Sequence, residues 1–147
     1  MENRKSKGEY IIVVGCGRLG THLARLLSKA RKSVVVIDKD QQAFHKLGDD
    51  FSGFTIEADA IEMDTLLQAK IDKADVVVAT TNDDNTNIMV AQIAKVIFHV
   101  PKVTARLFEP SRQQVYEELG IETVCPTILS AEAFNSIIVG NEMEALL

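Results

Sequence analysis

The sequence has little with which to bind nucleic acid. Only 5% of its 147 residues are aromatic, none is tryptophan, and the formal net charge is −5 with a pI of about 5.2. Proteins that bind nucleic acid need a basic surface interleaved with aromatic side chains that stack on bases. The end of the chain is especially acidic, since residues 109–147 hold seven glutamates and one basic residue, Arg112. We therefore expect no nucleic-acid partner.

Cysteine and long apolar runs are also scarce. Cys16 and Cys125 lie 109 positions apart with no metal-ligand spacing, which predicts reduced thiols and neither a disulfide framework nor a metal site. The longest apolar runs, such as residues 10–14 and 34–37, are far shorter than the ~20 residues that cross a bilayer. A basic tail, residues 1–8, precedes no stretch of signal-peptide character. We expect one cytoplasmic domain over residues 1–147, with no direct insertion into the membrane.

Catalytic motifs are missing as well. Neither tyrosine is followed four positions later by lysine, as a short-chain dehydrogenase requires, and no G-x-S-x-G or Walker motif occurs. The three histidines fall in helical stretches with no nucleophile or carboxylate at an obvious triad spacing. These are His22, His45 and His99. The sequence therefore predicts no catalytic residues and a protein that is not an enzyme.

What the sequence does contain is an alternation of short β-branched runs with longer stretches of helical periodicity. Strands are predicted at residues 10–14, 33–38, 54–57, 76–80, 102–106 and 123–125. Continuous Val and Ile runs are typical of parallel strands that helices bury on both faces. The prediction is an α/β fold, a doubly wound Rossmann fold with a mostly parallel six-stranded sheet in the order 3-2-1-4-5-6. Its ligand crevice opens between strands one and four.

Helices are predicted between these strands. The first presents an apolar face formed by Leu19, Leu23, Leu26, Leu27 and Ala30. Others cover residues 40–47, 64–69, 84–98 and 111–119, and the last follows residue 125. Asp40 can cap the second helix, and Ser111 with Gln114 resembles a capping box, with Gly120 ending that helix.

A glycine motif, Gly15-Cys16-Gly17-Arg18-Leu19-Gly20, follows the first strand and matches G-x-G-x-x-G. Its first glycine permits a tight turn, its second lets a pyrophosphate approach the backbone, and its third lets the helix pack closely on the strand. Asp38 closes the second strand eighteen residues after Gly20, where it can accept hydrogen bonds from ribose hydroxyls. In a purely structural alternative, the glycines form only a turn and Asp38 caps a helix. Asp38 should also repel a ribose 2′-phosphate, an effect that the neighbouring Lys39 softens.

Several other polar residues allow two interpretations. Asp59 either caps a helix with Glu62 as its capping-box partner or lines an adenine pocket. The segment Thr80-Thr81-Asn82-Asp83 follows the fourth strand and either reaches a ligand or starts the next helix.

Two arginines and one cysteine also allow two interpretations each. Arg18 and Arg106 either reach a ligand's phosphates or have plain surface and structural roles. Cys16 lies near a positive helix end that could lower its pKa, or it is a small packed side chain.

Five segments, taken in order, resemble one family, the RCK N-terminal domains of the Trk/Ktr type. The segments are IIVVGCGRLG at 11–20, VVVID at 34–38, Ala58-Asp59-Ala60, ADVVVATTND at 74–83, and Ala105-Arg106. The resemblance covers about residues 10–139. It implies a non-enzymatic cytosolic subunit that regulates a potassium channel or transporter by binding NAD(H), AMP, ADP or ATP.

The resemblance also implies roles for individual residues. The ligand's phosphates would lie at Gly15, Gly17, Arg18 and Leu19, its ribose at Asp38 and Lys39, and its adenine at Asp59 and Ala60. Asn82 and Asp83 would face the far side of the cleft, with Arg106 close to the phosphates or to a partner subunit. Ala58 stands where the family usually has glycine, a change that would tighten the adenine pocket. Glu109-Pro110 stands where Asn-Asp-Pro is common, so the resemblance does not extend to that loop. No C-terminal RCK ligand domain is expected within residues 1–147.

The alternative function is the cofactor domain of an NAD-dependent oxidoreductase, which shares the glycine motif and Asp38 but usually needs a substrate domain. A methyltransferase fits less well, because its Gly-x-Gly-x-Gly motif would need glycine at Leu19.

Two helices predict self-association. Residues 84–98 leave a narrow polar stripe of Asn85, Gln92, Lys95 and His99, and the last helix carries Ile128, Leu129, Phe134, Ile137 and Ile138. Unburied apolar patches usually mark interfaces, which predicts at least a homodimer. Alternatively, both helices are buried within the monomer. The resemblance adds a larger ring on the inner face of the membrane, attached to an integral-membrane potassium channel or transporter through protein contacts.

Overall fold

The computed structural model describes residues 9–140, which form a six-stranded sheet flanked by helices. The predicted basic tail, residues 1–8, lies outside the described residues. The strands are β1 Tyr10–Val14, β2 Ser33–Asp38, β3 Phe54–Glu57, β4 Val76–Ala79, β5 Lys102–Arg106 and β6 Glu122–Val124. The α-helices are α1 Arg18–Lys29, α2 Met63–Gln68, α3 Asp84–Gln92, α4 Gln113–Glu118 and α5 Pro126–Val139. Short 3-10 helices cover Gln41–Leu47, Ile71–Lys73 and Pro110–Arg112, and a π-helical turn, Ile93–Ile97, continues α3.

The strand order is β3-β2-β1-β4-β5-β6, and each neighbouring pair is parallel. The predicted doubly wound Rossmann topology is therefore confirmed. Since the order reverses between β1 and β4, their carboxyl ends leave a crevice where open α/β sheets usually bind ligands.

The core lies on both faces of the central strands. Alternate side chains of β1 point to opposite faces, so Ile12 packs towards α3 while Ile11 and Val13 pack towards α1. Burial of a Val or Ile side chain stabilises the fold by about 1.5–3 kcal/mol. The continuous aliphatic runs are therefore explained by burial on two sides.

The structure corrects the predicted face of α1. Its buried residues are Gly20, Thr21 and Ala24, whereas Leu26 is 54% exposed and Ala30 is exposed. Small side chains let the helix lie close to the sheet, which leaves parts of the leucine stripe towards solvent.

Some predicted boundaries and caps also change. The capping box of Ser111 and Gln114 is not formed, because the Glu109 carboxylate accepts from the Ser111 N–H at 3.2 Å and caps a 3-10 helix first. Gly120 does follow the end of α4, with a φ of +78°. The fourth strand ends at residue 79, and the sixth covers residues 122–124 rather than 123–125.

The helices of the β4–β6 half leave large apolar side chains exposed. The predicted polar stripe of residues 85, 92, 95 and 99 faces solvent, but so do Met89, Val96 and Ile97. On α5, Leu129, Phe134, Ile137 and Ile138 are each more than half exposed, with Ile138 at 81%. Within residues 9–140, burial inside the monomer therefore does not account for these faces. None of the helices in this part of the chain has the length and apolar character to cross a membrane.

Candidate functional site

A cavity of about 770 Å³ opens at the carboxyl ends of β1, β2 and β4. Predicted site residues in its walls are Gly15, Cys16, Gly17, Asp38, Lys39, Asp59, Ala60, Thr80, Thr81, Asn82 and Asp83. The fold thus brings together segments that are up to 68 positions apart in the sequence. Within residues 9–140, no three His, Cys, Asp or Glu side chains are grouped so that they could hold a metal ion.

The three glycines of the motif have different roles. Gly15 has a φ of +101°, and a Cβ there would lie 2.9 Å from the backbone of Thr80. A Cβ at Gly20 would lie 1.9 Å from the Gly15 carbonyl oxygen, so Gly20 is required by packing. A Cβ at Gly17 would meet nothing within 4 Å. Gly15 and Gly20 therefore build the turn, whereas Gly17 keeps space open in the cavity.

The first turn of α1 is suited to an anion. Gly17 occupies the N-cap position, no side chain caps the helix there, and its first turn has no acidic residue. The backbone N–H groups of a helix N-terminus carry partial positive charge and bind phosphate when no cap occupies them.

Asp38 links the glycine loop to the end of β2. One carboxylate oxygen accepts from the Cys16 N–H at 2.8 Å, and the other accepts from the Asp40 N–H at 2.8 Å. The cap of the following 3-10 helix is Asp40, which accepts from the Gln42 N–H at 3.0 Å. The alternative in which Asp38 caps a helix is therefore wrong. Asp38 instead orients the loop and contributes to the cavity wall.

The segment around Asp59 forms another part of the wall. The Asp59 carboxylate accepts from the Ile61 N–H at 3.2 Å, which makes a tight turn. Helix α2 begins later, with Glu62 as its N-cap and no side-chain cap bond. The proposed capping box of Asp59 and Glu62 is thus wrong, and Asp59 with Ala60 lines the cavity.

The wall across from Asp38 is a network of polar side chains. The Thr80 hydroxyl, buried, donates to the Val14 carbonyl at 3.0 Å and ties β4 to β1. Asp83 caps α3, because its carboxylate accepts from the Thr86 N–H at 3.3 Å and from the Thr86 hydroxyl at 2.7 Å. The Thr86 hydroxyl bond is the main reason that the pKa of Asp83 is lowered. Both interpretations of residues 80–83 therefore hold: they start a helix and line the cavity.

Asn87 was missed by the sequence analysis, although it organises this wall. Its side chain is fully buried, and its Oδ1 accepts from the Thr81 N–H at 2.8 Å and the Thr81 hydroxyl at 2.6 Å. Its Nδ2 donates to the backbone carbonyls of Thr81 and Arg106, each at 3.1 Å. An asparagine in a predicted helix gives no local signal of this role.

Four predicted residues are absent from the cavity walls. Arg18 is exposed and lines a separate groove along α1, while Leu19 and Gly20 lie in that helix without lining the cavity. The Arg106 guanidinium stacks on the Phe108 ring at 4.1 Å, and its Nε is buried without a hydrogen-bond partner among the described residues. The first three belong to the glycine motif but lie in α1 outside the cavity walls, and Arg106 is stacked on Phe108.

Cys16 is a packed side chain. Its thiol is buried, 3.3 Å from the Thr21 hydroxyl and 3.4 Å from the Ala43 carbonyl oxygen. Burial raises the pKa of this thiol, so the alternative of a pKa lowered by the helix end is wrong.

The cavity also contains residues that the sequence analysis did not select. They are Val14, Ile37, Asp40, Gln42, Ala43, Lys46, Ile61 and Thr86, with Ala58 noted only as a departure from the family pattern. Three of them lie on the 3-10 helix Gln41–Leu47 that follows β2, and Asp40 caps that helix. The proximity of this segment to Asp38 in the sequence was the available signal.

Comparisons with known proteins agree with this geometry. The model of the TrkA-N domain family matches residues 11–127. The chain is 38% identical to a Trk system potassium uptake protein TrkA from Streptomyces coelicolor, over 84% of this chain and 55% of that protein. The chain spans about half the length of the curated relatives that it matches.

Two solved structures have the same fold. The RCK domain of GsuK superposes with a TM-score of 0.77 at 26% identity, covering 94% of this chain and 30% of that one. The GsuK channel bound to NAD superposes with a TM-score of 0.79 at 25% identity, covering 92% of this chain and 24% of that one. By its motifs, its fold and the family model over residues 11–127, the chain belongs to the TrkA-N family of RCK N-terminal domains.

Proposed function

We propose that the cavity binds NAD(H) or an adenine nucleotide (AMP, ADP or ATP), and that the bound ligand regulates a potassium channel or transporter without being chemically changed. The observation that carries this proposal is Gly17, which keeps space open beside an uncapped helix N-terminus. A structural turn alone does not require glycine there. The similarity to a channel whose structure contains NAD supports a ligand of this class.

In this proposal the phosphates lie against Gly15 and Gly17 and accept from backbone N–H groups at the start of α1, those of Arg18 and Leu19. Because only the backbone N–H groups contact the phosphates, the Arg18 side chain can remain exposed in the separate groove along α1. Asp38 and Lys39 contact the ribose.

The adenine in turn lies at Asp59 and Ala60, and Asn82 and Asp83 face the far side of the ligand. Arg106 contacts the phosphates or a partner subunit only if its side chain leaves Phe108.

The proposed partners are a second copy of the chain, in a homodimer or larger ring, and an integral-membrane potassium channel or transporter. The exposed faces of α5 and of the turn after α3 support the first partner. The names of the relatives, potassium uptake proteins of the Trk system, support the second. The proposed location is cytoplasmic, at the inner face of the membrane.

The test is binding of each nucleotide, measured by melting temperature and by calorimetry. A ligand that binds only the native state increases the free energy of unfolding, by about 2.7 kcal/mol at a concentration one hundred times its Kd, and so raises the melting temperature. Gly17→Val should abolish this shift while leaving the unliganded protein folded, since a side chain there meets open space. Ala30→Val, which introduces the same side chain at an exposed site, is the control. Equal shifts in both variants would contradict the site.

The alternative, a cofactor domain of an NAD-dependent oxidoreductase, is favoured by the glycine motif and Asp38, which such enzymes share. Steady oxidation of NADH with a carbonyl substrate, lost on changing Asp83, would establish it over the regulatory proposal. We expect no turnover.

A further inference from the structure

A second concave surface runs along α1, outside the nucleotide cavity. It has a volume of about 440 Å³ and is lined by Arg18, Thr21, His22, Arg25, Leu26, Lys29 and Lys46. We call it the basic groove. Its residues belong to α1 except Lys46, which lies on the 3-10 helix Gln41–Leu47 packed against it.

The basic groove concentrates positive charge in an acidic protein. No aspartate or glutamate occurs from residue 10 to residue 37, although the whole chain has a formal charge of −5. Arg18, Arg25 and Lys29 are cations on this helix, with His22 between them. Among the described residues, the ion pair formed by a groove cation is Arg25 with Asp50, at 4.0 Å. A helix on a protein surface ordinarily mixes charges of both signs, so this bias indicates an anionic ligand.

The spacing of the three cations of α1 and of His22 indicates the shape of that ligand. Residues 18, 22, 25 and 29 recur at intervals of three and four and share one side of the helix, over a length of about 16 Å. Lys46 adds a cation from the opposite wall. Arginine and lysine side chains arranged along a groove fit several negative charges in a row better than a single one.

We propose that the basic groove is a second anion site, which binds a ligand that presents two or more phosphate groups. The phosphates come either from a soluble polyphosphate compound or from the headgroups of anionic lipids, since both present the same chemistry to these side chains.

Lys46 connects this site with the nucleotide cavity, because it lines both. Two anionic ligands repel each other and share one lysine, so occupation of the groove weakens nucleotide binding, and the reverse holds equally. This consequence rests on the proposed function, whereas the anion site itself does not.

The first test is calorimetric titration with inorganic pyrophosphate. It uses the Gly17→Val protein, in which the cavity's own phosphate position is filled. We expect saturable binding that Lys29→Ala and Arg25→Ala each weaken about tenfold, as loss of a charge-assisted hydrogen bond would. Lys73→Ala, which removes an exposed lysine from a different surface, should leave the affinity unchanged. Equal binding by all these variants would overturn the proposal, as would absence of binding both here and in the vesicle test that follows.

A second arm separates the two sources of phosphate. The same proteins are sedimented with vesicles of phosphatidylcholine and phosphatidylglycerol in equal amounts, and with vesicles of phosphatidylcholine alone. Binding to the anionic vesicles that Lys29→Ala reduces would identify lipid headgroups, and pyrophosphate binding without vesicle binding would identify a soluble ligand. Failure of both arms overturns the anion site.

The coupling is tested by titrating NAD with and without pyrophosphate. We expect pyrophosphate to weaken NAD binding, and Lys29→Ala or Lys46→Ala to reduce that effect, whereas Lys73→Ala leaves it intact. If NAD binds and pyrophosphate weakens it equally in all variants, the competition lies in the cavity and the coupling is wrong. If no nucleotide binds while pyrophosphate does, the proposed function fails and the anion site stands.

Discussion

At the carboxyl edge of the sheet, the β1–β3 half combines a close backbone contact with the hydrogen bond from the Cys16 N–H to Asp38, whereas in the β4–β6 half side-chain hydrogen bonds from α3 hold the strand ends. In the first half, Gly20 leaves its helix directly against the Gly15 carbonyl. In the second half, Asn87 and Asp84 on α3 hold the ends of β4 and β5, and Asp84 accepts from the N–H groups of Phe108 at 2.7 Å and Glu109 at 3.1 Å. At Gly20 the first half has no room for an added atom, whereas the second half loses buried hydrogen bonds if Asn87 or Asp84 is truncated.

The helices on the outer surfaces of the two halves also differ in the side chains that they expose. Helix α1 presents cations to solvent, while α5 and the turn after α3 present large apolar side chains such as Val96, 66% exposed, and Ile138. Helix α1 is thus suited to anionic ligands, and α5 with the turn after α3 is suited to protein contact. The first half also exposes apolar side chains, among them Phe54 on β3 at 72%.

The largest effect is expected from a single methyl group at Gly20. Gly20→Ala places a Cβ 1.9 Å from the Gly15 carbonyl oxygen, so α1 must move off the sheet. We expect the free energy of unfolding to fall by at least about 3 kcal/mol, measured by urea denaturation. The matched control is Gly17→Ala, whose methyl group meets nothing within 4 Å. Equal losses in the two variants would show that the first half is not closed by backbone contact.

The corresponding change in the second half is Asn87→Ala. It removes the fully buried Asn87 amide, which takes away the acceptor for Thr81 and leaves a carbonyl of Arg106 without its donor. We expect a loss of about 2–3 kcal/mol in the free energy of unfolding. Asn85→Ala, on the exposed side of the same helix, should cost much less. If Asn87→Ala were neutral, hydrogen bonds could not be what closes this half.

The features of the fold and the site differ in how well the sequence could predict them. The strands and their order were predictable, because Val and Ile runs buried on two faces leave a continuous local pattern. Gly17 and Asp38 were predictable as cavity residues, because their spacing is fixed by the turn and by the length of one crossover.

Contacts between distant segments leave no such pattern. Asn87 joins residues 6 and 19 positions away, and Lys46 reaches both concave surfaces from a short 3-10 helix. The face of α1 was mispredicted for a related reason, since close packing selects Gly20 and Ala24 over the larger Leu26. Periodicity detects large apolar residues and overlooks small ones that are chosen for proximity.

The apolar surface of the second half is tested by Ile138→Glu. Ile138 is 81% exposed, so a charge there costs little in the monomer but is buried without a partner in a homodimer. We expect sedimentation equilibrium to show that the dissociation constant of the dimer rises tenfold or more. The melting temperature of the monomer should be unchanged. Glu132→Gln on the same helix is the control. If the wild-type chain sediments as a monomer with and without nucleotide, the apolar surface of the second half is not a homodimer interface.

The smallest effect concerns the cap at the start of α3, where the far wall of the cavity depends on one charge. Asp83 has a pKa lowered from its ordinary value of 3.8, mainly by the hydrogen bond from the Thr86 hydroxyl. Because folding favours the charged form, the stabilisation is present above the ordinary pKa and is lost as the pH falls through the lowered value. Thr86→Val should therefore lower the melting temperature by a few degrees at most near neutral pH, and this difference from wild type should shrink in acid. Thr104→Val, whose hydroxyl donates to the Glu122 backbone carbonyl, should show a difference that does not depend on pH. A constant difference for Thr86→Val as well would mean that the charge of Asp83 does not hold this wall.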